Sequence, residues 1–199
     1  FIQSEYLDKA KTDKLDALLI AQYASKHPFS PTTLKSYNIE RIRRISRAKY
    51  FLYQDKERTI NHLHRYLDES FPELIPFLRK RGDTKRYQGR SFFDSKTTLW
   101  FVENFPSAKK FSNARSETAE KLRRMSKGAF SLVKFNELRK IAKNSIGISF
   151  PETEVIIIQL VQELRNIQER NAKLDELLIP LIDETAPNLL TVPGIGYRL

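Results

Sequence analysis

Apolar residues recur along this chain at the three- and four-residue spacing that is typical of α-helices. A stripe of this kind predicts a first helix over residues 12–27. Residues 38–69 contain no Gly and no Pro, so we expect a single helix of roughly 32 residues and about 48 Å there. Segments 27–31 and 71–77 contain Pro, and we expect them to interrupt the helical structure on either side.

The part of the chain that follows also has a helical pattern. Shorter helices are predicted near residues 95–104, 116–127 and 130–144, and no segment alternates apolar and polar residues as a strand would. Residues 79–90 carry six basic side chains, one acid and two glycines, which predicts a basic loop between the long helix and the shorter ones.

The last long stretch carries a heptad pattern. Alternating steps of three and four residues connect Ile157, Leu160, Leu164, Ile167, Asn171, Leu174, Leu178 and Leu181. The pattern predicts a coiled coil, and Asn171 at an a position favours an in-register pair of helices. We therefore expect a homo-oligomer that forms through residues 152–181, with an antiparallel helical hairpin inside one chain as the alternative. Pro180 is expected to kink or end the helix.

These patterns predict a mainly all-α fold, with long helices and a coiled coil. The chain has no run of 18 apolar residues, so the sequence predicts no transmembrane helix and no membrane partner. It also has no Cys, which excludes disulfides and thiolate metal sites and fits a reducing cytoplasm.

The net charge of +11 is concentrated in one block of the chain. Residues 1–40 carry five basic and five acidic groups, and residues 151–199 carry four basic and eight acidic groups. Residues 41–143 carry 26 basic and 11 acidic groups, a net charge of +15. Such a block predicts binding to a polyanion such as DNA or RNA, and a solvated basic surface is the alternative.

The long predicted helix places much of this charge on one face. Projection of residues 39–67 at roughly 100° per residue separates an apolar arc of about 120° from a row of basic residues. Only Asp55 and Glu57 are acidic between residues 41 and 65, so internal ion pairs cannot absorb the charge. The row predicts contact with phosphates, and a solvated face is the alternative. Its members are Arg43, Arg44, Arg47, Arg58 and Arg65, with His62 at its side.

Other candidate residues lie in or near the basic loop. Lys85, Arg86 and Arg90 are expected to bind phosphates together with the arginine row. Three aromatic residues lie in and after this loop, Tyr87, Phe92 and Phe93. We expect their rings either to stack on unpaired bases or to anchor the core. The three scattered histidines have too few neighbouring acids or histidines to predict a metal site or a general base.

Two acids stand three residues apart near the start of the first helix, at Asp13 and Asp16. On a helix they share one face, and their carboxylates could hold Mg²⁺ if further acids arrive from elsewhere. Such a metal site could activate water or a hydroxyl at a phosphodiester. The alternative is that they cap the helix and compensate its dipole.

The two acids also begin a resemblance to a known family. Residues 11–17, Lys-Thr-Asp-Lys-Leu-Asp-Ala, resemble the last two acids of the Asp-Glu-Asp-Asp transposases. These are insertion-sequence recombinases related to the pilin-gene invertases, and some are guided by a bridge RNA. The resemblance continues along the family's long helix at Leu34, Arg47, Arg58, Thr59, Asn61, Leu63, Leu67 and Phe71-Pro72-Glu73-Leu74. Residues 189–196, Leu-Leu-Thr-Val-Pro-Gly-Ile-Gly, resemble the start of its C-terminal domain.

The resemblance implies a role for the two acids. Asp13 and Asp16 would be the third and fourth acids of the tetrad, on the last helix of an RNase H-like α/β domain. The first Asp and the Glu would lie upstream of Phe1, and a serine nucleophile would lie beyond Leu199. The family implies Mg²⁺ as cofactor, DNA as partner and a guide RNA in some members. We expect the fragment alone to be inactive.

The stretch Pro-Gly-Ile-Gly near the end of the chain has a physical interpretation of its own. Gly194 and Gly196 would let backbone N–H groups at the start of a following helix approach a phosphate, as in helix-hairpin-helix modules. An ordinary turn is the alternative.

Together these predictions divide the chain into four parts. Residues 1–30 would be the last helix of the catalytic domain, 31–150 a basic nucleic-acid-binding region, 151–186 the coiled coil, and 187–199 the start of the C-terminal domain. The function predicted is part of a bacterial, cytoplasmic and nucleoid-associated transposase. Two alternatives are a non-catalytic RNA- or DNA-binding module and a coiled-coil adaptor whose basic face binds acidic proteins.

Overall fold

A computed structural model describes residues 13–26, 36–79, 92–185 and 187–191. Every regular element in these ranges is helical, which confirms the mainly all-α fold. The α-helices are α1 (Asp13–Lys26), α2 (Tyr37–Ser70), α3 (Leu74–Arg79), α4 (Lys96–Asn104), α5 (Ala108–Ser112), α6 (Ser116–Met125), α7 (Leu132–Lys143) and α8 (Pro151–Thr185). Two short 3₁₀ helices span Phe92–Asp94 and Pro187–Thr191. No helix in the described ranges is long and apolar enough to cross a bilayer.

The chain divides into two compact units, Phe1–Tyr37 and Asn38–Leu199. In the first unit, α1 confirms the predicted first helix. It begins at Asp13, and none of its residues is buried, although Leu18, Ile20 and Tyr23 are large apolar side chains. The apolar stripe therefore predicted the helix correctly, but in the structure the side chains of this stripe are not buried.

Helix α2 spans 34 residues and confirms the predicted long helix to within a residue at each end. Its apolar side is buried from Leu52 onward, including Ile60, Leu63 and Leu67, whereas Ile39 is exposed. Burial of one face over the second half explains how a helix with so many charged residues is held to the rest of the protein.

The segment 71–77 ends α2 as predicted, but it is not simply a break. After two turn residues, α3 begins at Leu74 and contains Pro76. Proline is tolerated there because it lies in the first turn, where its missing N–H would have no partner inside the helix. The predicted end of the long helix at this segment is confirmed, and α3 itself was not predicted.

The shorter predicted helices are confirmed as α4, α6 and α7, and pattern reading missed α5 and both 3₁₀ helices, which have at most five residues each. The helices of the second unit surround one core rich in phenylalanine. Phe111 lies at its centre, with ring centroids 4.9 Å from Phe101, 5.3 Å from Phe105 and 5.3 Å from Phe135. The second half of α2 and the first half of α8 line this core.

Helix α8 confirms the predicted helix over the heptad pattern, and it continues five residues beyond Pro180. Five positions of the predicted seam are buried, and the other three are partly exposed. Ile157 and Leu164 belong to the phenylalanine-rich core, so the first half of the seam is covered by this chain itself. That packing favours the intrachain alternative for this half, and pairing of two copies stays a prediction. The buried positions are Ile157, Leu164, Ile167, Leu178 and Leu181.

The segment that leads into α8 is fastened to the end of α2. The Ile148 N–H donates to the Glu69 carbonyl at 2.9 Å, and the Ser145 hydroxyl donates to the Glu73 carboxylate at 2.6 Å. Gly147 lies so close to α2 that a Cβ there would come within 2.6 Å of the Ser70 carbonyl oxygen. This close approach positions α8 relative to α2.

Candidate nucleic-acid interface

The predicted arginine row lies on the exposed side of α2. Its five members, Arg43, Arg44, Arg47, Arg58 and Arg65, are all exposed. Four of them lie on one continuous line of exposed residues, separated by steps of three and four positions along the helix. We call this line the α2 ridge, and it consists of Arg43, Arg47, Tyr50, Gln54, Arg58, Asn61 and Arg65. Arg44 lies beside the ridge.

The acids of the chain neutralise only part of this row. Arg43 lies 3.7 Å from the Glu40 carboxylate, and Arg58 lies 3.6 Å from the Asp55 carboxylate, both one helical turn away. Arg44, Arg47 and Arg65 have no ion pair with an acid in the described part of the chain. Two of the four arginines of the α2 ridge thus lie near an acid, and its positive charge is unpaired at Arg47 and Arg65.

Arginines on α6 and α8 differ from the α2 row because their guanidinium groups are hydrogen-bonded to glutamates. Arg123 and Arg124 on α6 both donate to Glu120, with Nε–O distances of 3.0 and 3.1 Å. Hydrogen bonds from these two arginines lower the pKa of Glu120 from 4.5 to about 2. Arg165 on α8 forms two hydrogen bonds with the Glu103 carboxylate, at 3.1 and 2.6 Å. Arg165 is thus paired with one acid, and Arg123 and Arg124 share one, whereas Arg47 and Arg65 of the α2 ridge have no ion pair in the described part of the chain.

Among the described residues, neither histidine of α2 belongs to a group of three or more potential metal ligands. His62 is exposed, and His64 is half-buried with its ring edge against Phe93, at a centroid distance of 5.3 Å. Burial, aided by the positive charge of Arg79, lowers the pKa of His64 and favours its neutral form. His64 therefore serves packing, as its sparse surroundings in the sequence indicated.

The aromatic residues near the basic loop divide between the two interpretations. Phe93 is fully buried in the core, and Phe92 packs against that core partly buried. Their rings contact each other edge to face at 5.4 Å. Phe93 is thus a core anchor, which confirms the alternative to base stacking for that residue. Tyr87 lies outside the described residues.

Sequence reasoning missed a second group of aromatics, on α2 itself. Tyr50, Phe51 and Tyr53 are each about three-fifths exposed. Tyr50 belongs to the α2 ridge, and Phe51 lies one position further along. The signal was present in the sequence, because Tyr50 follows Arg47 by three residues and so falls on the same helix face.

The two paired carboxylates occupy the first turn of α1. Asp13 is exposed and Asp16 is half-buried. Their three-residue spacing gives them a common face and fits a pair of hard oxygen ligands. A third His, Cys, Asp or Glu that would complete a metal-binding group is not found among the described residues. Asp13 and Asp16 could therefore supply two ligands of a metal site, and first-turn acids also stabilise a helix dipole.

Five predicted site residues lie outside the described residues, so their proposed contacts stay predictions. They are Lys85, Arg86, Arg90, Gly194 and Gly196.

Comparison with known proteins gives one match. The family model of the DEDD transposases of the IS110 type, described as "Transposase", matches residues 2–72. This match covers about a third of the chain and includes α1 and α2, and with them both paired carboxylates and the whole α2 ridge. No curated protein matches the chain.

Proposed function

We propose that this chain is part of a DNA transposase and that the arginines of the α2 ridge hold DNA by its phosphates. The exposed, largely unneutralised arginines of α2 carry this proposal, and they lie inside the region that matches the transposase family model. Guanidinium groups present several N–H donors in a planar fork that fits phosphate oxygens. From Arg43 to Arg65 the ridge extends about 33 Å, which is long enough to follow a backbone over several phosphates.

DNA is the polymer that the family match favours, and a guide RNA would offer the same phosphate chemistry to the ridge. Phosphate contacts of this kind carry no sequence information, so the ridge would position a nucleic acid and not select its sequence. The site of action would be the bacterial nucleoid, in the cytoplasm.

Binding through phosphates is tested by its dependence on salt. We would measure the affinity of the full chain for a fluorescein-labelled duplex over a range of salt concentrations. In the variant Arg47→Gln/Arg65→Gln, the slope of log affinity against log salt should become shallower by about two, because roughly one counterion is released per phosphate contact.

The matched control is Arg123→Gln/Arg124→Gln, which removes the same formal charge from two exposed helical arginines that share the Glu120 carboxylate and lie outside α2. It should leave the slope close to that of the unaltered chain. An equal change in both variants would mean that only net charge matters, and it would overturn the role of the ridge.

We further propose that Asp13 and Asp16 contribute two ligands to a Mg²⁺ site that other acids complete. When bound, the ion would supply charge stabilisation at a phosphodiester, and the two side chains would hold it through carboxylate oxygens. Paramagnetic Mn²⁺ should broaden the amide NMR signals of Asp13 and Asp16 in the unaltered chain but not in Asp13→Asn/Asp16→Asn. Equal broadening in both proteins would contradict this part of the proposal.

The second candidate is a non-catalytic nucleic-acid-binding module. The first-turn position of both acids favours it, because Asp in that turn stabilises a helix without any metal. In that case Asp13→Asn/Asp16→Asn should reduce the helicity of α1 with or without a divalent ion, and affinity for DNA should not change.

We also propose that two copies of the chain associate through residues 152–181, although part of this segment is already covered within one chain. Ile157 and Leu164 already pack in the core of their own chain, so a second copy would have to contact exposed residues of α8 such as Leu177. Sedimentation equilibrium decides the matter: a dimer that Leu177→Ala weakens supports pairing, and a monomer at all concentrations overturns it.

A further inference from the structure

Three aromatic side chains lie exposed within four residues of α2, in the middle of the arginine row. Tyr50 is 59% exposed, Phe51 61% and Tyr53 59%. Single exposed apolar residues are common on protein surfaces, but three large rings side by side on an otherwise charged helix mark a contact surface.

Tyr50 and Phe51 form a pair of neighbouring rings, and Tyr53 lies on the other side of Tyr50 around the helix. The centroids of Tyr50 and Phe51 are 6.2 Å apart, with an angle of 59° between the ring planes. The Gln54 side-chain amide donates a hydrogen bond of 3.0 Å to the Tyr50 hydroxyl, which fixes that ring from the next turn of the helix. Tyr53 follows Tyr50 by three residues and so lies beside it on the helix surface.

This aromatic group fills the gap in the arginine row. The row has no arginine at the ten positions between Arg47 and Arg58, which lie about 16 Å apart along the helix axis. Arg47 has no acid partner in the described part of the chain, and Arg58 keeps 72% of its side chain exposed beside Asp55. A strand stacked as in a duplex advances about 3.4 Å per nucleotide, so the gap corresponds to about five nucleotides.

We propose that Tyr50, Phe51 and Tyr53 stack on unpaired bases of single-stranded DNA whose phosphates contact Arg47 and Arg58. This inference rests on the proposed function, because it assumes that the α2 ridge binds DNA, and it adds that the DNA is unpaired there. Cationic side chains on either side attract the backbone, and the flat rings between them accept bases of any identity.

The arrangement favours unpaired over paired DNA. In a duplex each base face is covered by its neighbours, so a ring can reach it only after unstacking, which costs a few kcal/mol. In a single strand the base faces are accessible. A base can cover an exposed aromatic ring directly, because no other side chain of the protein has to move away first. The same rings would add nothing to a purely phosphate-based grip on a duplex.

The test compares one variant on two probes. We would measure binding of the full chain to labelled oligo(dT) of about 20 nucleotides and to a duplex of the same length. Tyr50→Ala/Phe51→Ala/Tyr53→Ala should weaken oligo(dT) binding at least roughly tenfold and duplex binding less than about twofold. Circular dichroism should show unchanged helicity, since the three residues are exposed and Ala favours helix.

Two further variants separate stacking from other effects. Tyr50→Phe/Tyr53→Phe keeps both rings and should retain the affinity for oligo(dT). Leu132→Ala/Val133→Ala/Ile146→Ala removes three exposed apolar side chains elsewhere and should change neither affinity. Loss of affinity in this last variant equal to that of the aromatic variant would overturn the inference.

The remaining outcomes are equally decisive. Equal weakening on both probes, or none on either, would overturn base stacking while leaving the phosphate grip in place. Tighter binding of oligo(U) RNA than of oligo(dT) would overturn the assignment to DNA. A change from dimer to monomer in the aromatic variant would show that the rings join two copies of the chain. If the unaltered chain binds neither probe, the proposed function itself fails.

Discussion

The two longest helices are almost equal in length, yet they differ in what they do with charge. Helix α2 has eight basic and five acidic residues, and α8 has three basic and eight acidic residues. On α8, Arg165 is paired with Glu103, and Lys173 is paired with Glu169 at 2.9 Å. On α2, no ion pair with an acid in the described part of the chain is formed by Arg44, Arg47 or Arg65.

The difference teaches that a long amphipathic helix does not by itself indicate an interface. Both helices bury an apolar stripe in the same core, through Leu63 and Leu67 on α2 and Ile157 and Leu164 on α8. What separates them is the opposite face. On α8 acids outnumber basic residues, and two of its three basic residues are ion-paired, whereas on α2 basic residues are in excess. We therefore treat α8 as scaffold and α2 as the candidate contact surface.

The largest expected effect tests the scaffold role of α8. Leu164→Ala removes a fully buried side chain from the core and should lower the free energy of unfolding by about 2–5 kcal/mol in chemical denaturation. Leu177→Ala on the same helix is the matched control, and because Leu177 is exposed its effect should stay within about 0.5 kcal/mol. Similar losses for both variants would remove the distinction between buried and exposed faces of α8.

A smaller effect is expected where the two helices meet. Lys49 of α2 is 9% exposed and pairs with Asp175 of α8. Lys49→Met keeps the aliphatic stem but leaves the Asp175 carboxylate without its partner, so stability should fall by about 1–3 kcal/mol. Lys173→Met breaks an exposed pair within α8, which water and salt screen, and should lower stability much less. Equal costs in thermal unfolding would show that Lys49 does not link the helices.

The third prediction concerns pH and the start of α8. Burial raises the pKa of Glu154, but hydrogen bonds from Lys110, Ser107 and Ser149 outweigh it and leave the pKa below its ordinary value of 4.5. A carboxyl whose pKa is lower in the folded state stabilises that state above its unfolded pKa and loses this contribution as pH falls. The stability advantage of the unaltered chain over Glu154→Gln should therefore shrink below about pH 4.5. An advantage that does not change with pH would contradict the sign.

Much of the fold could be predicted from the sequence because long helices leave a strong periodic signal. Helices α2 and α8 were predicted nearly to their ends, since Gly and Pro are absent from one and a heptad pattern runs through the other. Short elements gave no such signal: α5 has five residues, too few for a period of 3.6 to be recognised. Tertiary packing also sets what a stripe contacts, and so the heptad pattern of α8 did not reveal that Ile157 and Leu164 pack inside their own chain.

The candidate site was also predicted only in part: the arginine row was predicted, and the exposed aromatic residues were not. The arginine row followed from helical projection, and its exposure agrees with that projection. The aromatic group at Tyr50, Phe51 and Tyr53 was missed because aromatic residues on a helix are usually core residues, and only the structure distinguishes an exposed ring from a buried one. Spacing alone also left the role of Asp13 and Asp16 open, since metal binding and helix capping require the same positions.

The most direct test of the α2 interface observes the arginines themselves. Titration of the full chain with a DNA duplex can be followed through the side-chain Nε–H signals of assigned arginines by NMR. We predict that the signals of Arg44, Arg47 and Arg65 shift as DNA is added, while those of Arg123 and Arg165, which are held by Glu120 and Glu103, stay in place. Shifts confined to Arg123 and Arg165, with no change on α2, would contradict the account.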